Sequence, residues 1–404
     1  MDTQYVKGDC IFARINKTIK QYEYLTEDIE TEVMIIGGGV TGAILGYYFS
    51  KNNINCVILE KARIGHGSTS ITTSLLQYEL DSNAMELKSY TSMENIIKSY
   101  KLGIKALDEI QEFIDKYGNR CDFKRVDSFL YTAKKLEKKG MEEEYDIRKE
   151  AGLPVEFIDE DNNPFLFDVK GGVLGKGGGA VFDPYKFTHH LIEVSCEKGL
   201  RAYENTEVID VKYCDDGVTV ETVYGHKVKG KIVIVATGYN TELFTKRTFG
   251  TKTTTFNIAT SPIDNIEDIY KNVVTRDNRV PYNYFRTTRD NRLIIGGEDI
   301  NFIPDIYNEQ LCSKSYETLE QRLKSLFPNL NIEIEYRYCG AFASTQDNLG
   351  FIGKDPTNSK LWYCLGYGAN GILFAMLGGM MLSKLYSGEV DKDMNLFKVD
   401  RFDH

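Results

Sequence analysis

The first sharp pattern in the chain is the apolar run Val33-Met-Ile-Ile36, introduced by Glu32 and stopped by three glycines. A short uninterrupted apolar run closed by turn residues predicts a strand buried on both faces, as in a parallel sheet. The period then changes. Val40, Ile44, Tyr47 and Tyr48 fall at helical spacing, which predicts a helix over 40–51. Asn55-Cys-Val-Ile-Leu-Glu60 predicts a second strand, completing a βαβ unit that starts near residue 32.

Beyond this unit, residues 85–118 are predicted mostly helical. Residues 134–144 carry charge on every side, which predicts a solvated surface helix broken at Gly140. Gly171 to Gly179 is expected to form turns between short strands. Asp183-Pro184 opens a helix with proline at its first position. From Val208 to Ala236 the pattern is strand–turn–strand, with hairpin turns at Asp215-Asp216-Gly217 and Tyr224-Gly225. A mixed region of strands and helices covers about 245–338. Leu361 to Ser383 holds no charged residue and is long enough to cross a bilayer. Five glycines and Asn370 interrupt it, and the uniformly apolar part, 371–382, has the length of a buried core helix. No repeat or Pro/Gly linker is visible, so the domains are expected to be interleaved.

Composition narrows the classes. The 404 residues suffice for two or three domains. A net charge of −10 argues against a nucleic-acid groove and gives no reason to expect docking on an anionic membrane. The eight cysteines contain no CxxC pair and are accompanied by five histidines, so zinc, iron–sulfur and dithiol sites lack their spacing. The first twenty residues have no apolar core of a signal peptide. A cytoplasmic protein with reduced thiols and no metal is the expectation.

Gly37-Gly-Gly39-Val40-Thr41-Gly42 matches GxGxxG after a strand and at the start of a helix, the context in which that motif binds a dinucleotide. Gly37 serves the tight turn, Gly39 the approach of the pyrophosphate, and Gly42 the packing of helix on strand. Glu60, at the end of the next strand, is placed to accept the ribose hydroxyls. The motif fits NAD and FAD equally. Lys61 leads into a loop of small hydroxyls, including Ser68, Thr69, Ser70, Thr72 and Thr73; the residues suit either a pyrophosphate cradle or an ordinary turn. Two distant segments favour a flavin. The run 231–238 is a strand ending in Ala236-Thr237-Gly238, small residues that let a ligand approach the backbone. Gly366-Tyr367-Gly368-Ala-Asn370-Gly371-Ile372 precedes the apolar helix and would aim its positive end at developing negative charge.

These segments, with GGGAVFDPYKFTHHL, RDNRLIIGGED and TQDNLGFIG between them in order, resemble the D-amino-acid oxidase, glycine oxidase and sarcosine oxidase superfamily over about residues 30–390. The resemblance implies an α/β chain with an α+β substrate domain. Its Rossmann-like FAD-binding domain is of the glutathione-reductase type and discontinuous (1–90, 170–240 and 340–404). Beside it stands a mixed-sheet substrate domain (91–169 and 241–339). It implies FAD as cofactor, held without a covalent bond although Cys339 lies near the position some members use. It also places Val208 beside the adenine and Gly340 at the flavin.

The activity so implied is oxidation of a C–N bond in a small amine or amino acid, by hydride transfer to flavin N5. Alternatives are a C–OH substrate such as glycerol phosphate, or a non-catalytic electron-transfer subunit. Ile71 and Leu373 stand where many members carry basic residues for a substrate carboxylate, which weakens the amino-acid reading. Tyr282, Tyr284 and Arg286 alternate along one strand. They are candidates for the substrate wall, with Arg286 pairing a carboxylate; a plain surface strand fits them equally. His66, His189 and His190 have no visible acid–base partner. The electron acceptor and the oligomeric state are not legible.

Overall fold

A computed structural model describes residues 5–17, 19–302 and 309–403. The expected βαβ unit forms: the strands Val33–Ile36 and Cys56–Leu59 pair in parallel, joined by the helix Val40–Lys51. They lie inside a six-stranded sheet in the order Phe351–Lys354, Leu361–Leu365, Ile232–Val235, Val33–Ile36, Cys56–Leu59, Arg201–Tyr203. All pairings are parallel except the one between the first two strands. Chain segments near residues 33, 201, 232 and 361 thus build one doubly covered sheet, a discontinuous Rossmann-like arrangement within a mixed α/β fold.

The helix Gly371–Tyr386 packs against the Val40–Lys51 helix. A Cβ on Gly379 would lie 2.4 Å from the Tyr48 ring, so the small residue fixes how closely the two helices approach. At 16 residues this helix is the predicted core helix, and no helix among the described residues is long and apolar enough to cross a membrane.

A ten-stranded sheet forms the second layer system. Its path runs Val6–Gly8, Ile334–Ser344, Thr251–Thr260, Leu293–Asn301, Tyr284–Thr287, Val273–Asp277, Lys124–Thr132, Gly171–Val181 and Leu75–Gln77, with Val155–Ile158 also on Gly171–Val181. A small sheet holds both predicted hairpins, between Val208–Cys214, Gly217–Thr222 and Lys227–Gly230. The chain crosses between the sheets repeatedly: 6–8, 75–77 and 171–181 belong to the large one.

Two local expectations are corrected. Residues 171–181 are one continuous strand, not a series of turns. Its glycines are there for packing, since a Cβ at Gly178 would lie 2.6 Å from the Tyr78 ring and one at Gly172 2.6 Å from Phe129. The charged segment is a helix, Lys138–Glu150, that runs through Gly140. It is not solvated all round. Glu144 and Arg148 are each 1% exposed and joined at 2.8 Å, with Glu79 at 3.5 Å from Arg148. Tyr100 and the Ala84 amide donate to Glu144. Charge hid this side of the helix from a reading based on hydropathy.

Candidate functional site

A single cavity of about 420 Å³ is lined from both sheet systems. From the nucleotide-type unit come Gly37, Gly39, Val40, Thr41, Glu60 and Lys61. Gly42 stands just behind, where a Cβ would lie 1.9 Å from the Gly37 carbonyl oxygen; its small size permits the turn to close on the helix. Glu60 accepts from the Gly38 amide at 2.6 Å and the Ala62 amide at 2.9 Å. Burial pushes its pKa up, and those two amides oppose the shift.

The hydroxyl loop contributes Ser68, Thr69, Thr72 and Thr73 to the lining. Thr69 Oγ1 accepts from the first helical amide, Val40, at 2.9 Å, which ties the loop to the helix start. Ser70 lies outside the lining, its hydroxyl donating to the Gly67 carbonyl at 2.9 Å. Val208, Ala236, Thr237 and Gly238 complete this wall. Gly238 has φ +62° and its missing Cβ would meet no protein atom within 4 Å, so the cavity begins at its α-carbon.

The C-terminal glycine segment closes the other side with Gly366, Gly368, Gly371 and Ile372. Tyr367 is buried beneath it and donates to the Gly238 carbonyl at 3.1 Å, bonding the two glycine-rich segments together. Asn370 donates to the Glu79 carbonyl at 2.9 Å, and its Oδ1 has no protein partner. Gly340 is outside the lining; a Cβ there would collide with Ile71 Cδ1 at 2.2 Å. Its role is to admit Ile71, which does line the cavity. Leu373 packs in the core. Cys339 also packs away from the cavity, in the cluster with Phe256 and Leu319.

These features suit FAD. Two helices present N-terminal turns to one space, and their free amides and dipoles favour phosphate and anionic character. Small residues keep the backbone open where an extended ligand must pass.

The large sheet supplies the opposite wall. Tyr282 and Tyr284 line it, their rings 5.8 Å apart. Arg286 does not, which corrects its expected place beside them. Its Nε donates to the Thr73 carbonyl at 2.5 Å and its Nη2 to the Phe182 carbonyl at 2.9 Å, with the guanidinium over Phe12. Buried carbonyls between two elements need donors, and Arg286 spends its fork on them.

Several lining residues escaped the sequence reading: Tyr239, Thr255, Asn257, Arg276 and Asp299. Arg276 donates to the backbone carbonyls of Asp81 and of Leu80, and its guanidinium lies 5.4 Å from the Tyr282 ring centre. The Asp81 carboxylate, behind this wall, accepts from Tyr282 at 3.2 Å and from the Ala369 amide at 3.0 Å. Asp299 is pushed up to about 6, by burial first and by Asp81 also, against the hydroxyls of Thr255 and Thr253. The signal for Asp299 was present in the Gly296-Gly297-Glu298-Asp299 segment; strands 276 and 257 offered none. His66 lines the cavity, with burial lowering its pKa. His189 and His190 are core residues.

Comparison with known proteins agrees with this geometry. A Bacillus subtilis (strain 168) protein bearing a Rieske 2Fe-2S iron-sulfur name is 23% identical over 395 residues, 95% of this chain and 74% of that protein. Gamma-glutamylputrescine oxidoreductase of Escherichia coli (strain K12) is 24% identical over 383 residues, 92% of this chain and 87% of its own. Among solved structures, glycine oxidase from Geobacillus kaustophilus superposes with a TM-score of 0.78 at 19% identity, over 92% of this chain and 99% of that one. Residues 32–385 match the family described as FAD dependent oxidoreductase, or DAO. The chain is a member of that family and binds FAD as an oxidoreductase of the D-amino-acid oxidase and glycine oxidase group.

Proposed function

We propose that this enzyme oxidises a C–N single bond of a small amine or amino acid to an imine. One observation carries the reading: the glycine-opened helix starts at Gly39 and Gly371 line the same cavity as Tyr282 and Tyr284. Substrate held on the tyrosine wall would therefore face the cofactor. The names of two similar proteins, gamma-glutamylputrescine oxidoreductase and glycine oxidase, support C–N chemistry.

Bound FAD supplies the two-electron acceptor. The chain's part is to bind, orient and exclude water. Gly37, Gly39, Val40, Thr41, Gly42 and Glu60 would serve the nucleotide end; Lys61, Ser68, Thr69, Thr72 and Thr73 would serve the pyrophosphate and flavin edge. Val208 would flank the adenine, while Ala236, Thr237, Gly238, Gly366, Gly368, Gly371 and Ile372 would border the ring system. Tyr282 and Tyr284 form the substrate wall. An alkylammonium titrates near the lysine value of about 10.4, and only its neutral form can release an electron pair from carbon. A wall of buried phenols disfavours the cation by desolvation and so lowers the cost of losing that proton. Conversion of the C–N bond to C=N gives up two electrons and two protons. Water then adds to the imine and releases a carbonyl compound with ammonia, or with an amine where the nitrogen carried a second carbon substituent.

We assign the six-stranded sheet and its helices to a cofactor domain of the glutathione-reductase type, and the large sheet to a substrate domain. The flavin is held without a covalent bond at Cys339, which faces the core. No disulfide joins any pair of cysteines among the described residues, and five cysteines are buried; a reducing, cytoplasmic setting is part of the proposal. The experiment is an anaerobic reduction screen of the holoenzyme against amines, N-methyl amino acids, D-amino acids and glycerol phosphate. Bleaching by a nitrogen compound is the expected result. Bleaching by glycerol phosphate alone, or by nothing, rejects the reading.

A further inference from the structure

Charge on the sheet side of the cavity is unbalanced. Arg276 is the cation there among the described lining residues, and it directs two nitrogens at the carbonyls of Asp81 and Leu80. It also sits beside the Asp81 carboxylate, whose pKa burial raises and Arg276 partly brings back down. Asp81 is further saturated by Tyr282 and the Ala369 amide. Asp299 has none of this. The groups acting on it are the hydroxyls of Thr253 and Thr255 and the like charges of Asp81 and Glu298, with no cation among them. A largely buried carboxylate without a counter-charge is costly unless a ligand supplies one.

The backbone is bent to place it. Phe256 pairs with Gly297 and Thr254 with Ile300, so Thr255 alone opposes Glu298 and Asp299. This is a β-bulge, a device that redirects a side chain beside a site. Glu298 takes φ +53° within it, a conformation that costs a non-glycine residue energy and persists where the surroundings enforce it. At Gly297, with φ +131°, a Cβ would lie 2.4 Å from the Tyr282 carbonyl oxygen. The bulge, the tyrosine segment and Asp299 are therefore one construction.

We propose that Asp299 binds a cationic nitrogen of the substrate other than the one being oxidised, making alkyl diamines and polyamines the preferred class over amino acids of similar length. The proposal rests on C–N oxidation at this site. The apolar and phenolic walls at Ile71, Phe342, Tyr282 and Tyr284 suit the methylene chain between two nitrogens. A substrate carboxylate would meet the like charge of Asp299.

The test compares 1,4-diaminobutane, 1-aminobutane and 4-aminobutanoate on holoenzyme at pH 8. Two readouts are used: anaerobic flavin bleaching, and calorimetric binding to the oxidised form, which needs no turnover. The diamine should bind roughly tenfold or more tighter than the monoamine, the effect of one charge-assisted bond, with the amino acid weakest. Asp299→Asn, at wild-type FAD content, should bind diamine and monoamine alike, and Asp299→Glu should restore part of the difference. Equal binding of the two amines by wild type, retention of the preference in Asp299→Asn, or tighter binding of the amino acid overturns the proposal. Bleaching by amines without diamine preference overturns it and leaves C–N oxidation standing. Selective diamine binding without bleaching supports Asp299 recognition and counts against the oxidation chemistry instead.

Discussion

Replacing Arg286 with alanine is expected to cost stability, with no selective loss of carboxylate-bearing ligands. Arg286 is 2% exposed and gives two hydrogen bonds to backbone carbonyls, at 2.5 Å to Thr73 and 2.9 Å to Phe182. Its removal leaves both carbonyls buried without a donor. Hydrogen bonds from a charged group contribute about 1.5–3 kcal/mol each, so the loss is about 3–6 kcal/mol. For a chain of this length, an unfolding entropy of about 2.1 cal/mol/K per residue makes each kcal/mol equal to about 1 °C in Tm. The expected fall is therefore roughly 4–7 °C by thermal denaturation of the holoenzyme. Thr73 lines the cofactor cavity, so the variant should also lose FAD more readily on dilution. A variant with wild-type Tm whose carboxylate-bearing ligands alone bind more weakly would refute this reasoning.

Gly42→Ala should impair FAD loading, because its Cβ would sit 1.9 Å from the Gly37 carbonyl oxygen; overpacking of about 1–3 kcal/mol corresponds to roughly 5- to 150-fold in Kd, read by titrating FAD into apoprotein. Normal loading contradicts it. Asp299, raised to about 6, binds more protons folded than unfolded between its ordinary value near 4 and about 6. Its contribution to stability falls as pH rises through that window. Asp299→Asn should accordingly raise Tm at pH 8, with the gap closing below pH 4; a gap that grows in acid contradicts the assignment. Arg148→Met strands Glu144 and Glu79 in the core and should cost about 3–5 kcal/mol, whereas a solvated helix would lose almost nothing. Chemical denaturation of the variant separates the two.

The cofactor half was readable because its requirements are local. A tight turn, a close helix and a terminal acid all lie between Val33 and Glu60, and the apolar run at 371–382 marks its own burial. The substrate half depends on tertiary partners that leave no local trace. Arg286 and Tyr284 share a strand face by alternation, yet the Thr73 and Phe182 carbonyls draw the arginine away from the cavity. Arg276 precedes Asp277 in an unremarkable strand, and its place over Tyr282 follows from sheet order. Asp299 reaches the cavity through a bulge whose register depends on the partner strand. Gly171 to Gly179 resembled turns because nothing nearby in sequence shows that Tyr78 and Phe129 press on the strand.

The measurement that bears most directly on the account is a crystal structure of the protein with FAD. The account predicts a pyrophosphate against Gly39 and Thr41, the ribose at Glu60, and the isoalloxazine between the start of the Gly371–Tyr386 helix and Tyr284. Density for the flavin elsewhere, or a cavity that FAD at saturating concentration leaves empty, would contradict it.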